Sequence, residues 1–223
     1  MQTRMRDLTT FPETPLRHPG RARLTGQPRP ALERFERGDA GRGELEAFIA
    51  ATFLANYGAR LTHFSDTLVG FRGPDGAWAA ALGFSLAGAG PLFLEHYLDA
   101  PVEMEIGLRL GRAVERRDIV EVGNLAATHA GTARSLIVGT TSLLHGMDLR
   151  YVTFTATTSL LNSFGRLQLR PQALAPADPA RLPQAGAGWG SYYDTHPQVM
   201  FGDIHYGYSE LARFATRQHR PAE

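Results

Sequence analysis

The chain has 223 residues, enough for one sizeable domain with its own core, and its 23 basic and 22 acidic residues leave a formal net charge of +1. That balance offers no field to draw a nucleic-acid backbone or an anionic membrane surface, so neither is expected as a partner. With no cysteine, disulfide staples, thiolate-ligated zinc and thiol nucleophiles are excluded.

Residues 1–43 are rich in Pro, Gly and Arg. Arg17, Arg21, Arg23, Arg29, Arg34 and Arg37 are spread among turn formers rather than along a helical face, which predicts a flexible N-terminal arm. Met1 to Thr10 carries charge and no apolar run, so no secretory signal is expected there and a cytoplasmic location is the default. From Glu44 a helix is predicted: Leu45, Phe48, Ile49 and Thr52 follow i, i+3, i+4, i+7, and Phe53 and Leu54 widen the stripe. Asn56, Tyr57 and Gly58 end it. Leu61 to Phe71 reads as a strand, returned by Gly73-Pro74-Asp75-Gly76 into a second strand, Trp78 to Leu86. Ala77 to Leu94 is uncharged and about as long as the ~18 residues of a spanning helix, but its glycines, Pro91 and alanines favour strand and turn.

Leu92 to Ala100, between Pro91 and Pro101, is expected to be a short strand or an irregular connection. Asp118 to Ala126 then alternates as a buried central strand, with Ile119, Glu121, Gly123 and Leu125 on one face and Val120, Val122, Asn124 and Ala126 on the other. A helix follows over Thr132 to His145, a strand over Tyr151 to Thr157, and a helix capped by Thr158 and closed by Pro171. Two consecutive strand–helix units predict neighbouring parallel strands and a mixed α/β domain over residues 44–208. Residues from about 176 are expected to form a lid on that domain, and 209–223 a tail.

Small residues carry the central strand into the next helix through Glu121-Val122-Gly123-Asn124-Leu125-Ala126-Ala127-Thr128-His129-Ala130-Gly131-Thr132-Ala133-Arg134. Free backbone N–H groups from Gly131 to Arg134 would face an anion, helped by the helix dipole; equally, Gly131 and Thr132 could only turn and cap the chain. A second polar cluster, Glu95, His96, Asp99 and Glu103, lacks a second histidine at helical spacing, so a metal is not expected. No Gly-x-Ser-x-Gly elbow, P-loop or dinucleotide fingerprint is present, which leaves hydrolase, nucleotidase and dehydrogenase readings without support.

Gly131 and Ala133 resemble the acyl-coenzyme A loop of the GNAT acetyltransferases, Q/R-x-x-G-x-G/A, with Thr128 where that pattern has Gln or Arg. Asn162 and Phe164-Gly165-Arg166-Leu167-Gln168-Leu169 resemble the end of the GNAT fourth helix, with Gln168 in place of the usual glycine. From Tyr57 to Ile204 the match is more specific. Leu92-Phe93-Leu94-Glu95-His96-Tyr97-Leu98-Asp99-Ala100-Pro101, Glu121 to Ala126, Phe154-Thr155-Ala156-Thr157, Ala177-Asp178-Pro179 and Trp189-Gly190-Ser191-Tyr192-Tyr193 resemble the thermostable hemolysin family. That family is similar in turn to the acyl-homoserine-lactone synthases. Their Glu-x-x-Arg-Phe strand aligns with Glu121 to Leu125, keeping the acid and putting Asn124 where they have arginine; the arginine they carry after the second strand's glycine is absent from Gly83-Phe84-Ser85-Leu86.

The resemblance implies a GNAT-like fold, a mixed central sheet flanked by helices. It also implies an autoinducer-synthase-like N-acyltransferase moving a fatty acyl group from acyl-CoA or an acyl carrier protein to the amine of a small molecule, with no metal. Such chemistry needs a base, a donor to the thioester carbonyl and a channel for the acyl tail. Glu121 is the candidate base, because burial raises a carboxyl's pKa unless it is paired; the structural alternative pairs it with Arg109 or Arg166. Asn124 would position the acceptor or donate to the carbonyl, or else satisfy buried backbone. Glu95 would face the acceptor amine, and Tyr192 and Tyr193 would line a tunnel or donate to the leaving thiolate, or pack a lid. Leu125, Ala126, Gly131, Thr132, Ala133, Arg134 and Asn162 would hold the thioester. Two other classes stay open: a membrane-active protein, as the family's name states, and a silent acyl or phosphate binder that kept the fold.

Overall fold

The computed structural model describes residues 31–218. In chain order the elements are β1 (Glu33–Phe35), α1 (Arg42–Tyr57), β2 (Thr67–Arg72), β3 (Trp78–Leu86), α2 (Val102–Leu110), β4 (Ile119–Ala127), α3 (Ala130–Gly146), β5 (Tyr151–Ala156), α4 (Thr158–Arg166), β6 (Gln172–Pro176), β7 (Gln198–Asp203) and α5 (Ile204–Gln218). The strands form one seven-stranded mixed sheet ordered β1-β2-β3-β4-β5-β7-β6. Every neighbouring pair is antiparallel except β4 with β5, the parallel pair that the two strand–helix units predict.

Two layers of helix cover the sheet. On one face α1 sets Leu45, Ile49 and Phe53 against Leu68, Ala81 and Ala126, while α2 sets Val102 and Ile106 against Ile119, Tyr151 and Phe201. Each Leu, Ile, Val or Phe side chain among them that is wholly withdrawn from water contributes roughly 1.5–3 kcal/mol. On the other face Leu136 and Leu144 of α3 pack on Val69, Leu82 and Val120, and Leu160 and Phe164 of α4 pack on Phe154 and Met200. Leu211 of α5 closes that layer against Ile137 and Leu167. No helix among the described residues is long and apolar enough to cross a membrane.

Several expectations need correction. Residues 33–35, assigned to the arm, form edge strand β1, because Glu33, Arg34 and Phe35 pair with Gly70, Val69 and Leu68; the arm's residues 1–30 lie outside the described part. The strand expected over Leu61 to Phe71 starts at Thr67, and the residues between α1 and it form no regular element. Leu54 is 51% exposed, since the buried stripe of α1 is narrower than predicted and follows i, i+4, i+8 through Leu45, Ile49 and Phe53. Phe93–Tyr97 is a 3-10 turn rather than a strand. The cap of α4 is Thr157, whose hydroxyl accepts from Leu160 N, and not Thr158. Residues from 176 are more than a lid: β7 is an interior strand between β5 and β6. Residues 209–218 continue α5 rather than trailing as a tail, and 219–223 lie outside the described part.

One irregularity in β4 matters for the site. Gly123 stands opposite Gly83 and Ala126 opposite Ala81, so Asn124 and Leu125 together face Leu82. This β-bulge puts Asn124 at φ 53, a left-handed conformation that asparagine tolerates better than most residues. The extra residue shifts the side-chain phase. Beyond the bulge Leu125 joins the α3 layer and Ala126 the α1 layer, the reverse of simple alternation.

Candidate active site

The parallel pair β4–β5 is short. Its register runs from Ile119 opposite Tyr151 to Val122 opposite Phe154 and stops there. Past that point β4 pairs only with β3, and Thr155 and Ala156 of β5 pair only with β7, so the two strands fork. A cavity of about 600 Å³ occupies the fork, within the size range of small-molecule sites. It touches both faces of the sheet. On the α1 face its outer arm is bordered by Arg37, His63, Asp66, Ser85, Phe93 and Trp189; on the α3 face its inner arm is bordered by Leu82, Ile137, Leu144, Val152, Phe154 and Leu160. Glu121 and Asn124 stand between the arms.

Glu121 is 8% exposed and faces the outer arm directly across from Ser85. Its carboxylate pairs with neither Arg109 nor Arg166. Phe93 N donates to Oε2 at 2.7 Å and Leu94 N donates to Oε1 at 3.1 Å. Burial pushes its pKa up to about 7, against the downward pull of those two amides, with Glu95 and Asp66 adding repulsion. A carboxyl that titrates near neutrality at a cavity wall has the acidity a general base needs.

Glu95 does something other than face an acceptor. It is absent from the cavity wall and clamps the turn that holds Glu121: Leu92 N and Val102 N donate to it at 2.8 and 3.0 Å, and Arg116 donates at 2.6 and 2.8 Å. Arg116 also bonds Glu103 at 2.8 Å and the carbonyls of Ala87 and Gly90. Burial pushes the Glu95 carboxyl up, but Arg116 and the two amides outweigh it and hold the pKa at about 2. The carboxylate is therefore ionised at neutral pH and engaged on both oxygens. His96 and Asp99 go elsewhere, His96 Nδ1 to Phe93 O at 2.8 Å and Asp99 to Arg181 at 2.7 Å.

Asn124 lines the cavity, but its amide is tied to the α1 side: Ser65 N and Ser65 Oγ donate to Oδ1 at 3.0 and 3.1 Å, and Nδ2 donates to His63 O at 3.3 Å. Asn124 thus fixes the 63–66 segment at the cavity mouth. Buried Arg42 fixes it from behind, donating to Asp66 O at 2.7 Å and Ser65 O at 2.8 Å. Tyr193 does not border the cavity. Its hydroxyl lies 2.6 Å from that of Tyr97, which does, and burial followed by this contact raises the Tyr97 pKa.

Among the residues expected to hold the thioester, Leu125 lines the cavity and Ala126 is buried behind it. Asn162 is exposed on α4, and neither it nor the stretch Gly131, Thr132, Ala133 and Arg134 borders the cavity. The amides at the start of α3 are not free either. His129 caps the helix: Gly131 N and Thr132 N donate to its Nδ1 at 3.1 and 3.3 Å, and Ala133 N donates to His129 O. A Cβ on Gly131 would meet that ring at 3.0 Å, so the glycine is what lets the imidazole fold over the amides. The amides suited to a pyrophosphate are thus engaged by the protein itself.

Sequence reasoning missed Arg37, His63, Asp66, Phe93 and Tyr97. A signal existed in His63, Ser65 and Asp66, three polar residues inside an expected strand.

The family described as "Thermostable hemolysin" matches residues 35–208, most of the chain. The chain belongs to that family. No curated protein matches it in sequence. Several solved structures share its fold. TofI, crystallised in a ternary complex with an inhibitor and MTA, is 15% identical with a TM-score of 0.56, over 81% of this chain and 95% of that one. FeeM, an N-acyl amino acid synthase from uncultured soil microbes, is 15% identical with a TM-score of 0.53, over 82% and 99%. The AHL synthase LasI is 12% identical with a TM-score of 0.53, over 78% and 89%. This thermostable hemolysin family chain is thus an α/β protein with the fold of the acyl-homoserine-lactone and N-acyl amino acid synthases.

Proposed function

We propose that this chain is an N-acyltransferase that moves a fatty acyl group from a thioester, acyl-CoA or acyl carrier protein, to the amine of a small molecule. One observation carries the reading: a buried carboxyl with a pKa of about 7 stands at a strand fork, between two arms of the same cavity, one carrying Arg37, His63, Asp66 and Ser85 and the other bordered mainly by apolar side chains. The apolar inner arm takes the acyl chain, the fork takes the pantetheine, and the polar outer arm takes the amine. An ammonium gives one proton to Glu121 and becomes nucleophilic. Its nitrogen attacks the thioester carbon, the C–S bond breaks, and the thiolate leaves with the second nitrogen proton. Tyr97, supported by Tyr193, is the donor to the carbonyl oxygen in this reading, and no covalent enzyme intermediate is needed. Because His129 engages the α3 amides, the acyl-pantetheine arm contributes more to donor binding than the nucleotide end.

The family's description supports a second reading, direct membrane lysis. The purified chain, given an acyl thioester and a mixture of amines, should release thiol and form amide, and Glu121→Gln should suppress both. Leakage from lipid vesicles in the absence of thioester, without amide formation, would support lysis instead. Thioester binding without turnover would mark a silent binding protein.

A further inference from the structure

Resting on the acyl-transfer reading, we infer that the acceptor is an α-amino acid taken as a zwitterion, its carboxylate read by Arg37 and its ammonium by Asp66 beside Glu121. Arg37 and Asp66 lie together on the wall of the outer arm. Arg37 Nε donates to Asp66 Oδ1 at 3.0 Å, and Nη2 lies 2.9 Å from the same oxygen. Both contacts fall on one carboxylate oxygen, and Nη2 also donates to Phe64 O at 3.5 Å, so the pair rests on few bonds and is able to open. The two side chains are 62% and 52% exposed, so their mutual attraction adds little to stability and exchanges readily for a ligand's charges.

The backbone of Asp66, in contrast, is fixed. Asp66 N donates to Ser85 Oγ at 3.0 Å, and Asp66 O accepts from buried Arg42 at 2.7 Å. Partial burial pushes the Asp66 carboxyl up, but hydrogen bonds from Arg37 and Ser85 outweigh it and keep the group ionised. An anion on a fixed backbone with a cation beside it complements a molecule carrying both charges on neighbouring groups. A simple amine leaves Arg37 unanswered, and a diamine meets it with like charge. Beyond the pair the arm is aromatic: Phe93 stacks on His63, with ring centroids 5.5 Å apart and 17° between planes, and Trp189 lies 6.0 Å from Phe93. Those walls suit an aromatic or large apolar amino-acid side chain.

Phenylalanine and phenethylamine differ only in the carboxylate and provide the test. With one acyl thioester, the wild type should show kcat/KM at least about tenfold higher for phenylalanine, as a charge-assisted hydrogen bond implies. Arg37→Gln should bring that preference to within about threefold of unity. Equal kcat/KM for the two in the wild type, or an undiminished preference in Arg37→Gln, would overturn the inference. Titration calorimetry of both compounds against both proteins separates this from catalysis. Selective binding of phenylalanine that Arg37→Gln abolishes supports the inference even if no amide forms, and then only the acyl-transfer reading fails; equal binding of the two compounds, or binding of neither, overturns it.

Discussion

Replacing Glu121 with Gln tests the central carboxyl by rate and by stability together. With a pKa of about 7, a tenth of Glu121 is ionised at pH 6 and nine tenths at pH 8. If the carboxylate is the base, kcat/KM at pH 6 is about a tenth of its plateau, and the limb rises with a slope of one. Glu121→Gln should lower kcat by roughly 10²–10⁴ and abolish that limb. Stability should change in a linked way. The folded carboxyl binds its proton more tightly than the unfolded one, about 7 against 4.5, so its contribution is fully present below pH 4.5 and is lost as pH rises through 7. The loss is about 3 kcal/mol at most, from ~1.4 kcal/mol per unit. Gln cannot titrate, but its amide accepts from only one of Phe93 N and Leu94 N, and the orphaned donor costs roughly 1–3 kcal/mol. The variant should therefore be less stable than the wild type at pH 4.5 and close to it at pH 8, in urea melts followed by circular dichroism. Wild-type kcat in the variant, or a wild-type rate flat between about pH 5.5 and 8.5, would refute the assignment of Glu121 as base.

Arg116→Met strips Glu95 of its cation and should cost about 2 kcal/mol in urea unfolding, a partly exposed version of a broken buried pair. The depressed Glu95 pKa contributes stability above pH 4.5 that fades as pH falls towards about 2, so the same variant should unfold at higher pH in an acid titration. Gly190→Ala should be more severe than an ordinary loop change. Gly190 sits at φ 53 and an added Cβ would meet Tyr57 O at 1.9 Å, so the 186–195 segment must lift from the end of α1, lowering Tm measurably at a cost of about 2 kcal/mol or more. Gly207→Leu on α5 adds bulk to the inner arm beside Leu169 and Thr141. It should leave the fold intact, since leucine favours helix over glycine by up to about 1 kcal/mol, and should shift the acyl-length optimum to shorter chains in a thioester panel.

Local chemistry was enough to place the elements that flank the site. Apolar period located α1, β3, β4, α3, β5 and α4, and the consecutive strand–helix units implied the parallel β4–β5 pair. Burial on β4 alone marked Glu121 as a carboxyl with a raised pKa. What the sequence could not determine were features made by distant segments meeting. The edge strand β1 and interior strand β7 exist through pairing partners far along the chain, and their own patterns are too short or too mixed to declare them. The bulge at Asn124 depends on register against β3, so simple alternation put Leu125 and Ala126 on the wrong faces. Glu95 reads as a free acid until Arg116, 21 residues on, is folded against it. Arg37 and Asp66 become neighbours only because Arg42 and Asn124 pin the 63–66 segment beside the β1–α1 connection. Side-chain period is a property of neighbours in sequence; charge pairing and cavity shape are properties of neighbours in space, and the second depends on the whole fold.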